Sequence, residues 1–317
     1  MIVALAGGVG GAKLAQGLAL ALPAGDLRVV VNTADDFDLY GLGICPDLDT
    51  VLYTLAGIAD PVQGWGIAGD TTHLLDAIAR YGREPWFRLG DGDFATHILR
   101  SERLRAGISL TAVMAELAEA LGVATPILPM TDDPVATVVE TAAGRLAFQD
   151  YFVARRQADT VLGVSFEGIA RATLPDGVAA AIAEAELILF CPSNPIVSIG
   201  PILAVPGLRA ALDTATAPIV AVSPIVGGRA LKGPADRMLA SLGHEVSALG
   251  VARLYQGLID GIVIDEVDRE LHPAIEALGI ATDVTATVMG DAASRQQLAE
   301  RVLAFGRALA PVASGGR

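Results

Sequence analysis

Residues 2–33 of the chain read IVALAGGVGGAKLAQGLALALPAGDLRVVVNT. An aliphatic run from Ile2 to Ala6 leads into a glycine turn, Gly7–Gly11, and a helical pattern of apolar residues extends from Ala12 to Leu22. A second aliphatic run, Leu27 to Val31, follows the breaker Pro23-Ala24-Gly25. A strand, a turn, a helix and a second strand in this order predict a right-handed βαβ unit, whose two strands lie parallel in one sheet.

Three aliphatic runs in the second half of the chain also end in polar or proline-containing turns. They are Leu187 to Phe190, Ile219 to Val222 and Gly261 to Ile264. The sequence therefore predicts an α/β fold with a Rossmann-like parallel-sheet core. In such sheets the ligand crevice lies beyond the carboxyl ends of the strands, so we expect these polar turns to converge on one site.

The middle of the chain has a different pattern. Helical periodicity covers Phe94 to Leu104 and Leu110 to Leu121, and the residues from Ala136 to Val153 alternate like a β-hairpin with Gly144 in its turn. We therefore expect a helical and β-hairpin elaboration over about 94–170, placed on a core made of about 1–93 and 171–317. No linker-like stretch divides the chain, which predicts a single domain over residues 1–317.

The composition excludes several classes of function. Hydrophobic residues make up 52% of the 317 residues and aromatic residues only 5%, so the predicted core is aliphatic. The net charge of −14 and the lack of a basic run argue against a nucleic-acid partner. No segment approaches the roughly 18 uninterrupted apolar residues of a membrane span, and glycines and Lys13 interrupt the apolar N-terminus, so we expect no membrane association and no signal peptide. Cys45 and Cys191 form neither a metal-ligand nor a disulfide pattern, which indicates the reducing cytoplasm.

The glycine turn is typical of a phosphate-binding loop. Without Cβ atoms, Gly8, Gly10 and Gly11 allow backbone N–H groups to face an anion at the start of a helix. Lys13 occupies the position of the third glycine in a dinucleotide fingerprint, and no Walker A pattern is present. The turn therefore indicates some phosphate ligand rather than NAD, and the alternative is a tight strand-to-helix connection.

Polar and acidic residues follow the second strand. Asn32 ends it, Asp35 and Asp36 come next, and Asp47 and Asp49 follow within fifteen residues of Asp35. Such carboxylates hold Mg²⁺ or accept hydrogen bonds from substrate hydroxyls and ring N–H groups. The alternative for Asp47 and Asp49 is helix capping, because carboxylates favour the first turn of a helix.

A third cluster contains Arg88, Asp91, Asp93, His97 and Arg100. A helix beginning near Phe94 would place His97 and Arg100 on one face, where they could contact phosphate. The alternatives are a structural histidine and, for the two aspartates, turn formation.

A rigid loop follows the strand Leu187 to Phe190. Residues 191–201 read CPSNPIVSIGP, with three prolines among small polar residues. Such a loop would hold hydroxyl and amide donors in place before a ligand binds. The alternative is a proline-punctuated strand exit.

Together these segments resemble the 2-phospho-L-lactate transferase family of coenzyme F-420 biosynthesis. The matching motifs run in order from Gly7 to Gly228 and include AGGVGGAKL, VVVNTADDF, ICPDLDTVLYTLAG, LGDGDFATHILRS, ILPMTDDPVATVVET, FQDYFV, PSNPIVSIGPIL and VSPIVGG. The resemblance implies that the ribityl hydroxyl of 7,8-didemethyl-8-hydroxy-5-deazariboflavin (Fo) attacks a guanosine diphosphate adduct of a phosphorylated three-carbon acid. GMP leaves, and Mg²⁺ is required.

The resemblance also implies roles for individual residues. Asp49 and Arg88 would contact the deazaflavin, Asp35, Asp36 and Asp49 would be catalytic, and Asp47 and Asp49 would hold the metal. Gly92 departs from the charged residue expected at its position, which puts one phosphate contact in doubt. The expected nucleotide and phosphate contacts are Gly8, Gly10, Gly11, Lys13, Asn32, Asp91, His97, Arg100, Ser193, Asn194, Ser198 and Ser223.

The resemblance further implies a cytoplasmic homodimer, and a guanylyltransferase would fit as the enzyme that hands over the donor. Two other functions compete with this interpretation. One is a non-catalytic nucleotide-sugar-binding regulator with the same core. The other is an NAD-dependent oxidoreductase, which the imperfect fingerprint disfavours. We expect Asp49→Asn to impair the transferase while leaving the fold intact.

Overall fold

The computed structural model describes residues 1–309, and its centre is a seven-stranded sheet in which all neighbouring strands are parallel. The predicted α/β class and all five predicted strands of the sheet are confirmed. With strands numbered along the chain, the order across the sheet is β14 (Ala281–Thr285), β13 (Gly261–Asp265), β10 (Ile219–Val222), β9 (Leu187–Phe190), β1 (Ile2–Ala6), β2 (Leu27–Val31) and β5 (Ile127–Pro129).

The first strand is the point at which the direction of the sheet reverses. The chain builds outward from β1 to β2 and β5, and then returns to place β9 on the other side of β1. Ala6 pairs with Val31 on one side, and Leu5 pairs with Phe190 on the other. A topological switch point opens a crevice beyond the carboxyl ends of the two strands that flank it, here β1 and β9.

Helices cover both faces of the sheet, so its strands are buried and aliphatic throughout. Ile2, Ala4 and Ala6 of β1 belong to one core cluster, whereas Val3 and Leu5 belong to the other. The first cluster packs against α1 (Gly8–Ala21), α2 (Pro46–Leu55), α5 (Leu110–Ala120) and α12 (Ala292–Leu309). The second packs against α6 (Asp176–Ala183), α7 (Gly200–Ala204), α8 (Leu208–Thr214), α9 (Ala235–Ser241), α10 (Ala248–Leu254) and α11 (His272–Glu276).

Three small antiparallel sheets and two more helices are added to this core. The sheets are β3 (Phe37–Leu39) with β4 (Leu42–Ile44), β7 (Gly144–Ala147) with β6 (Ala136–Thr141) and β8 (Val161–Glu167), and β11 (Ile225–Val226) with β12 (Arg229–Ala230). The helices are α3 (His73–Arg80) and α4 (Asp91–Arg105).

Two helices begin earlier than the sequence predicts. Helix α1 begins at Gly8 rather than Ala12, because the glycine turn forms the first helical turn itself. Helix α4 begins at Asp91 rather than Phe94, because the carboxylate of Asp70 accepts hydrogen bonds from the amides of Gly92 (2.8 Å) and Asp93 (3.0 Å). Asp70 is 21 residues before Asp91, so no local capping pattern in the sequence predicts this contact.

The predicted elaboration over 94–170 is only partly correct, because β5 lies inside that segment and pairs with β2 at the edge of the main sheet. A strand of three residues is too short to show a clear hydrophobic pattern in the sequence, so β5 was not predicted. Its last residue, Pro129, is tolerated because the strand lies at the edge of the sheet. The predicted hairpin forms, but its second strand ends at Ala147 rather than Val153, and a π-helix, Asp150–Ala154, follows.

No single helix within residues 1–309 has both the length and the apolar composition needed to cross a membrane. One helix pair bent by 83°, Pro195–Ala204 with Leu208–Thr214, meets those two criteria together.

Candidate active site

The glycine turn and the loop after β9 meet at the carboxyl ends of β1 and β9. The amide of Gly7 donates to Ser193 Oγ (3.0 Å), and this hydroxyl donates to the carbonyl oxygen of Gly7 (2.8 Å). A Cβ atom at Gly11 would lie 2.6 Å from Ser193 Oγ. The lack of side chains in the turn is therefore what allows the loop to approach the start of α1.

Gly10 gives a direct test of this close approach. A Cβ atom at Gly10 would lie 2.2 Å from the backbone carbonyl oxygen of Pro192, which has no flexible side-chain end to move aside. We expect Gly10→Ala to lower the free energy of unfolding by about 1–3 kcal/mol, measured by urea denaturation. Gly177→Ala in α6 is the matched control, because nothing lies within 4 Å of its Cβ position. Equal effects of the two substitutions would contradict the packing argument.

Asp47, in the first turn of α2, supplies the carboxylate that faces the glycine turn. Its Oδ1 accepts a hydrogen bond from the Gly8 amide (2.8 Å), and its Oδ2 accepts one from Asn32 Nδ2 (2.9 Å). Asn32 is fully buried, and its Oδ1 accepts a hydrogen bond from the amide of Ala34 (2.9 Å). Burial raises the pKa of Asp47 to about 6. The polar side chains predicted at the ends of β1 and β2 are therefore brought together.

Asp35 and Asp36 have carboxylate oxygens without partners. The Oδ1 atom of each is inaccessible to water and accepts no hydrogen bond from the described residues. Burial raises the pKa of both carboxyl groups well above the usual range, and for Asp35 the neighbouring charge of Asp47 adds to the effect. Buried polar atoms are normally satisfied, so these two oxygens indicate a position where a ligand or an ion would supply the missing contacts.

A second buried network joins α2 to α4. Arg100 is fully buried and donates to both carboxylate oxygens of Asp49, from Nη1 to Oδ2 (3.1 Å) and from Nη2 to Oδ1. His97 lies between two carboxylates, with Nδ1 3.6 Å from Asp49 Oδ2 and Nε2 3.3 Å from Asp93 Oδ1. The hydroxyl of Tyr53 donates to Asp93 Oδ1 (2.6 Å). His97 and Arg100 thus share one face of α4 as predicted, but they contact carboxylates inside the protein rather than an open phosphate site.

Part of this network could hold a metal ion. Asp49, Asp93 and His97 offer ligand atoms that all lie within 4.8 Å of one another. No feature of the described residues identifies the ion. Asp49 was predicted as a metal ligand and belongs to this group, whereas Asp47 lies outside it and remains a prediction.

Sequence reasoning did not identify Tyr53, and it named Asp93 in the third cluster without assigning it a contact. Asp49 and Tyr53 are four residues apart on α2, and Asp93 and His97 are four residues apart on α4. This spacing places two side chains on one face of a helix, so it is the signal that could have identified both residues.

Asp91 and Arg88 lie elsewhere. Asp91 accepts hydrogen bonds from Thr71 Oγ1 (2.6 Å) and from the amides of His73 (3.1 Å) and Leu74 (2.9 Å). Its carboxylate therefore caps α3, and its predicted contact with phosphate remains a prediction. Arg88 is exposed, and within residues 1–309 neither a hydrogen bond nor an ion pair joins it to Asp49.

The predicted nucleotide contacts after β9 and β10 mainly shape their own loops. Asn194 Oδ1 accepts hydrogen bonds from the amides of Ile196 (2.9 Å) and Val197 (3.4 Å), and Ser223 Oγ donates to the carbonyl oxygen of Ile225 (2.9 Å). Ser198 is buried beside Gly7. A Cβ atom added at Gly7 would lie 2.7 Å from the Cβ atom of Ser198. These side chains hold the two loops at the crevice, and their contact with a nucleotide remains a prediction.

Lys13 does not hydrogen-bond within the glycine turn. Its Nζ donates to the carbonyl oxygen of Met289 (3.0 Å), and the side chain lines a separate recess with Arg295 of α12. The helical rotation from Gly8 to Lys13 places the two residues on different faces of α1.

The crevice offers carboxylates and backbone amides rather than a cysteine nucleophile. Burial raises the pKa of the Cys45 thiol well above its usual range and that of Cys191 to about 12, so both remain protonated. Positioned carboxylates at the start of a helix suit chemistry on phosphate groups, which requires orientation and charge neutralisation more than covalent catalysis.

Comparisons with known proteins agree with this assignment of chemistry. Residues 2–303 match the family model described as 2-phospho-L-lactate transferase CofD. The chain is 46% identical over 308 residues to a phosphoenolpyruvate transferase of Streptomyces coelicolor, covering 95% of this chain and 97% of that protein. It is 42% identical over 302 residues to a 2-phospho-L-lactate transferase of Methanosarcina acetivorans, covering 95% and 98%.

A crystal structure of a UPF0052-family protein of Bacillus halodurans resembles the fold, with a TM-score of 0.61 and 17% identity over 95% of this chain and 98% of that one. This likeness extends to the fold alone. The sequence relatives and the family model decide the function, and they exclude the oxidoreductase alternative. The chain belongs to the CofD family of coenzyme F-420 biosynthesis, as either a 2-phospholactate or a phosphoenolpyruvate transferase.

Proposed function

We propose that the enzyme transfers the phosphorylated three-carbon acid from its guanosine diphosphate adduct to the ribityl hydroxyl of Fo. The hydroxyl oxygen forms a bond to the phosphorus nearest the acid, and the bond from that phosphorus to the bridging oxygen of the diphosphate breaks. GMP leaves with the bonding electrons, and the hydroxyl proton passes to a carboxylate. The product is a phosphodiester, F-420-0 or its dehydro form.

The observation that supports this proposal is the grouping of the glycine turn with Asp35, Asp36 and Asp47 at the switch point of the sheet. The start of α1 favours a phosphate group through its dipole, while its Gly8 amide donates to Asp47. Asp36 is half-buried whereas Asp35 is only 6% exposed, so Asp36 is the carboxylate we assign as acceptor of the hydroxyl proton, through the oxygen other than the buried Oδ1. Burial raises the pKa of the Asp36 carboxyl well above its usual range, which makes the carboxylate a stronger proton acceptor than an exposed one.

Mg²⁺ fits the same carboxylates. A diphosphate beside Asp35, Asp36 and Asp47 would be repelled by them, and the unpartnered oxygens of Asp35 and Asp36 are the hard ligands that Mg²⁺ prefers. Mg²⁺ is commonly bound by one or two carboxylates together with substrate phosphates. The network of Asp49, Asp93 and His97 suits it less, because Arg100 already binds both oxygens of Asp49. When bound at Asp35 and Asp36, the ion would neutralise phosphate charge.

For the acceptor we propose the surface beside Arg88. The rings of Phe37, Trp86 and Phe87 form a cluster, with centroids 4.9 Å apart for Phe37 and Phe87 and 5.7 Å apart for Phe37 and Trp86. Trp86 is 37% exposed, so one aromatic face remains open to a planar ring system. Asp49 would act on the deazaflavin only if the ligand reached the ion pair with Arg100.

The experiment that tests the function is incubation of the protein with Fo, a guanylated three-carbon acid and Mg²⁺. GMP release and a product of the mass of the phosphodiester would support the transferase. A regulator that binds a nucleotide sugar would release no GMP, so a lack of GMP with all substrates and Mg²⁺ present would reject the proposal.

A further prediction concerns which guanylated three-carbon acids the enzyme accepts as donors. The phospholactate, phosphoenolpyruvate and phosphoglycerate adducts share the guanosine diphosphate and the carboxylate, and they differ by a small group near the phosphate-bearing carbon. A pocket separates such ligands by only about 1–3 kcal/mol unless a polar group is left unpaired. We expect the enzyme to use more than one donor, with preferences within about two orders of magnitude. Competition among the three with Fo limiting, read by product mass, checks this, and exclusive use of one donor would contradict it.

A cytoplasmic location, a homodimeric state and hand-over of the donor by a guanylyltransferase complete the proposal. Both cysteines are free and buried, which is consistent with a reducing compartment.

A further inference from the structure

A recess of about 130 Å³ lies between α1, α12 and the loop that follows α2. Its walls include Lys13, Gln16, Asp60, Gly64 and Arg295. The loop packs against the glycine turn, because a Cβ atom at Gly64 would lie 2.6 Å from Val9 Cγ1. The recess is therefore a neighbour of the crevice, but it is lined by different side chains.

Positive charge gathers at this recess in an otherwise acidic protein. The chain has 36 acidic residues and only two lysines; Lys13 lines the recess together with Arg295, and Lys232 lies near enough for its charge to act on Lys13. The charges of Arg295 and Lys232 add to burial in lowering the pKa of Lys13. Lys232 contacts the loop that follows α2, where its Nζ donates to the carbonyl oxygen of Val62 (3.5 Å). Gathering like charges is unfavourable unless an anion compensates them.

The cations of the recess lack carboxylate partners. Among the described residues, no carboxylate lies within 4.0 Å of Lys13 or Arg295. Arg295 Nη1 donates to Gln16 Oε1, and its Nε is buried without a partner. The acid on the wall, Asp60, is engaged by the amides of Val62 (2.8 Å) and Gln63 (2.9 Å). Lys13 and Arg295 can therefore still donate hydrogen bonds to a ligand inside the recess.

We propose that this recess is a second anion site, in which Lys13 and Arg295 bind a phosphate-class group. Its volume corresponds to roughly four water molecules, which suits a phosphate group and is too small for a whole nucleotide. The phosphate comes either from a free anion or from the nucleotide substrate, whose remainder would then lie along the glycine turn. The site needs no turnover, so it can be tested independently of the transfer reaction.

The test is calorimetric titration of the whole protein with inorganic phosphate and with pyrophosphate. Lys13→Gln and Arg295→Gln should each weaken binding about ten- to a hundredfold, because each removes a charge-assisted hydrogen bond. Arg301→Gln is the matched control on α12, since Arg301 pairs with Asp283 outside the recess, and it should bind like the wild type. Unchanged phosphate affinity in both recess variants, or no binding by the wild type, would overturn the proposal.

A measurement on the wild type keeps the test independent of how the variants fold. The chain has two lysines, so acylation by acetic anhydride can be followed at each of them by peptide mass spectrometry. Phosphate should slow acylation of Lys13 several-fold without slowing that of the N-terminal amine. Equal rates for Lys13 with and without phosphate would overturn the site.

Saturating GMP distinguishes the two sources of the phosphate group. If phosphate binding is lost in GMP, the recess holds the phosphate of the nucleotide. If phosphate binds with unchanged affinity in GMP, the recess holds a separate anion. Both results uphold the site, provided that binding depends on Lys13 and Arg295.

Discussion

Replacing Arg100 by methionine is expected to lower the free energy of unfolding by about 3–5 kcal/mol, measured by urea denaturation. Arg100 is fully buried and binds both carboxylate oxygens of Asp49, which is itself only 5% exposed. Its removal leaves the carboxylate of Asp49 buried without its main partner, with the carboxylates of Asp36 and Asp93 nearby. Removing one partner of a buried ion pair destabilises the folded state by far more than the intact pair stabilises it, because an uncompensated charge remains buried.

Arg103→Met on the same helix is the control for this prediction. Arg103 pairs with Glu116, and both side chains are close to half exposed. Exposed ion pairs contribute about 0–1 kcal/mol, so Arg103→Met should change the free energy of unfolding by no more than that. If Arg100→Met were no more destabilising than Arg103→Met, the ion pair with Asp49 could not be a buried one.

The same contact changes what is expected of Asp49. The sequence predicts that Asp49→Asn impairs the transferase but leaves the fold intact, because no sequence pattern pairs Asp49 with a buried arginine. In the structure, Asn at this position would leave the Arg100 guanidinium buried without a counter-charge. Kinetic data on Asp49→Asn therefore need a parallel measurement of stability before a loss of turnover is assigned to substrate binding.

Asp36→Asn is expected to reduce turnover at least about a hundredfold and to weaken Mg²⁺ binding, without reducing stability. A bound cation contributes several kcal/mol of charge stabilisation in the transition state, which corresponds to this loss of rate. Burial already opposes the ionised form of Asp36, so a neutral side chain of the same shape removes that penalty. Loss of activity together with unchanged or raised stability is the combination expected of a functional carboxylate.

Turnover by GMP release, Mg²⁺ affinity by calorimetry and urea denaturation check this prediction together. Asp38→Asn is the matched control, because Asp38 is exposed on β3 only two residues away. Removing Mg²⁺ with a chelator should abolish turnover in the wild type, and adding it back should restore it. Wild-type turnover and Mg²⁺ affinity in both Asp36→Asn and Asp35→Asn would rule out these two residues as the metal site.

The sequence by itself determined the central sheet and the family. Aliphatic runs such as Ile2 to Ala6 and Leu187 to Phe190 bury both faces of their strands, so their pattern is local and strong. The grouping of the glycine turn with Asn32 and Asp47 also followed, because parallel strands carry their following turns to one edge of the sheet. The three-residue strand that ends in Pro129 at the sheet edge was not predicted, because so short a strand gives only a weak local signal.

Only the tertiary structure decided which polar side chains neutralise one another. Asp49 and Arg100 are 51 residues apart, and Lys13 and Met289 are 276 apart, so no spacing along the chain announces either contact. A carboxylate that follows a buried strand or begins a helix has the same sequence signature whether it caps a helix, pairs with a buried arginine or faces a ligand. Asp91 and Asp49 illustrate the first two outcomes, and the third is the one we propose for Asp36. The difference arises from which partner the packing of the chain places against each carboxylate.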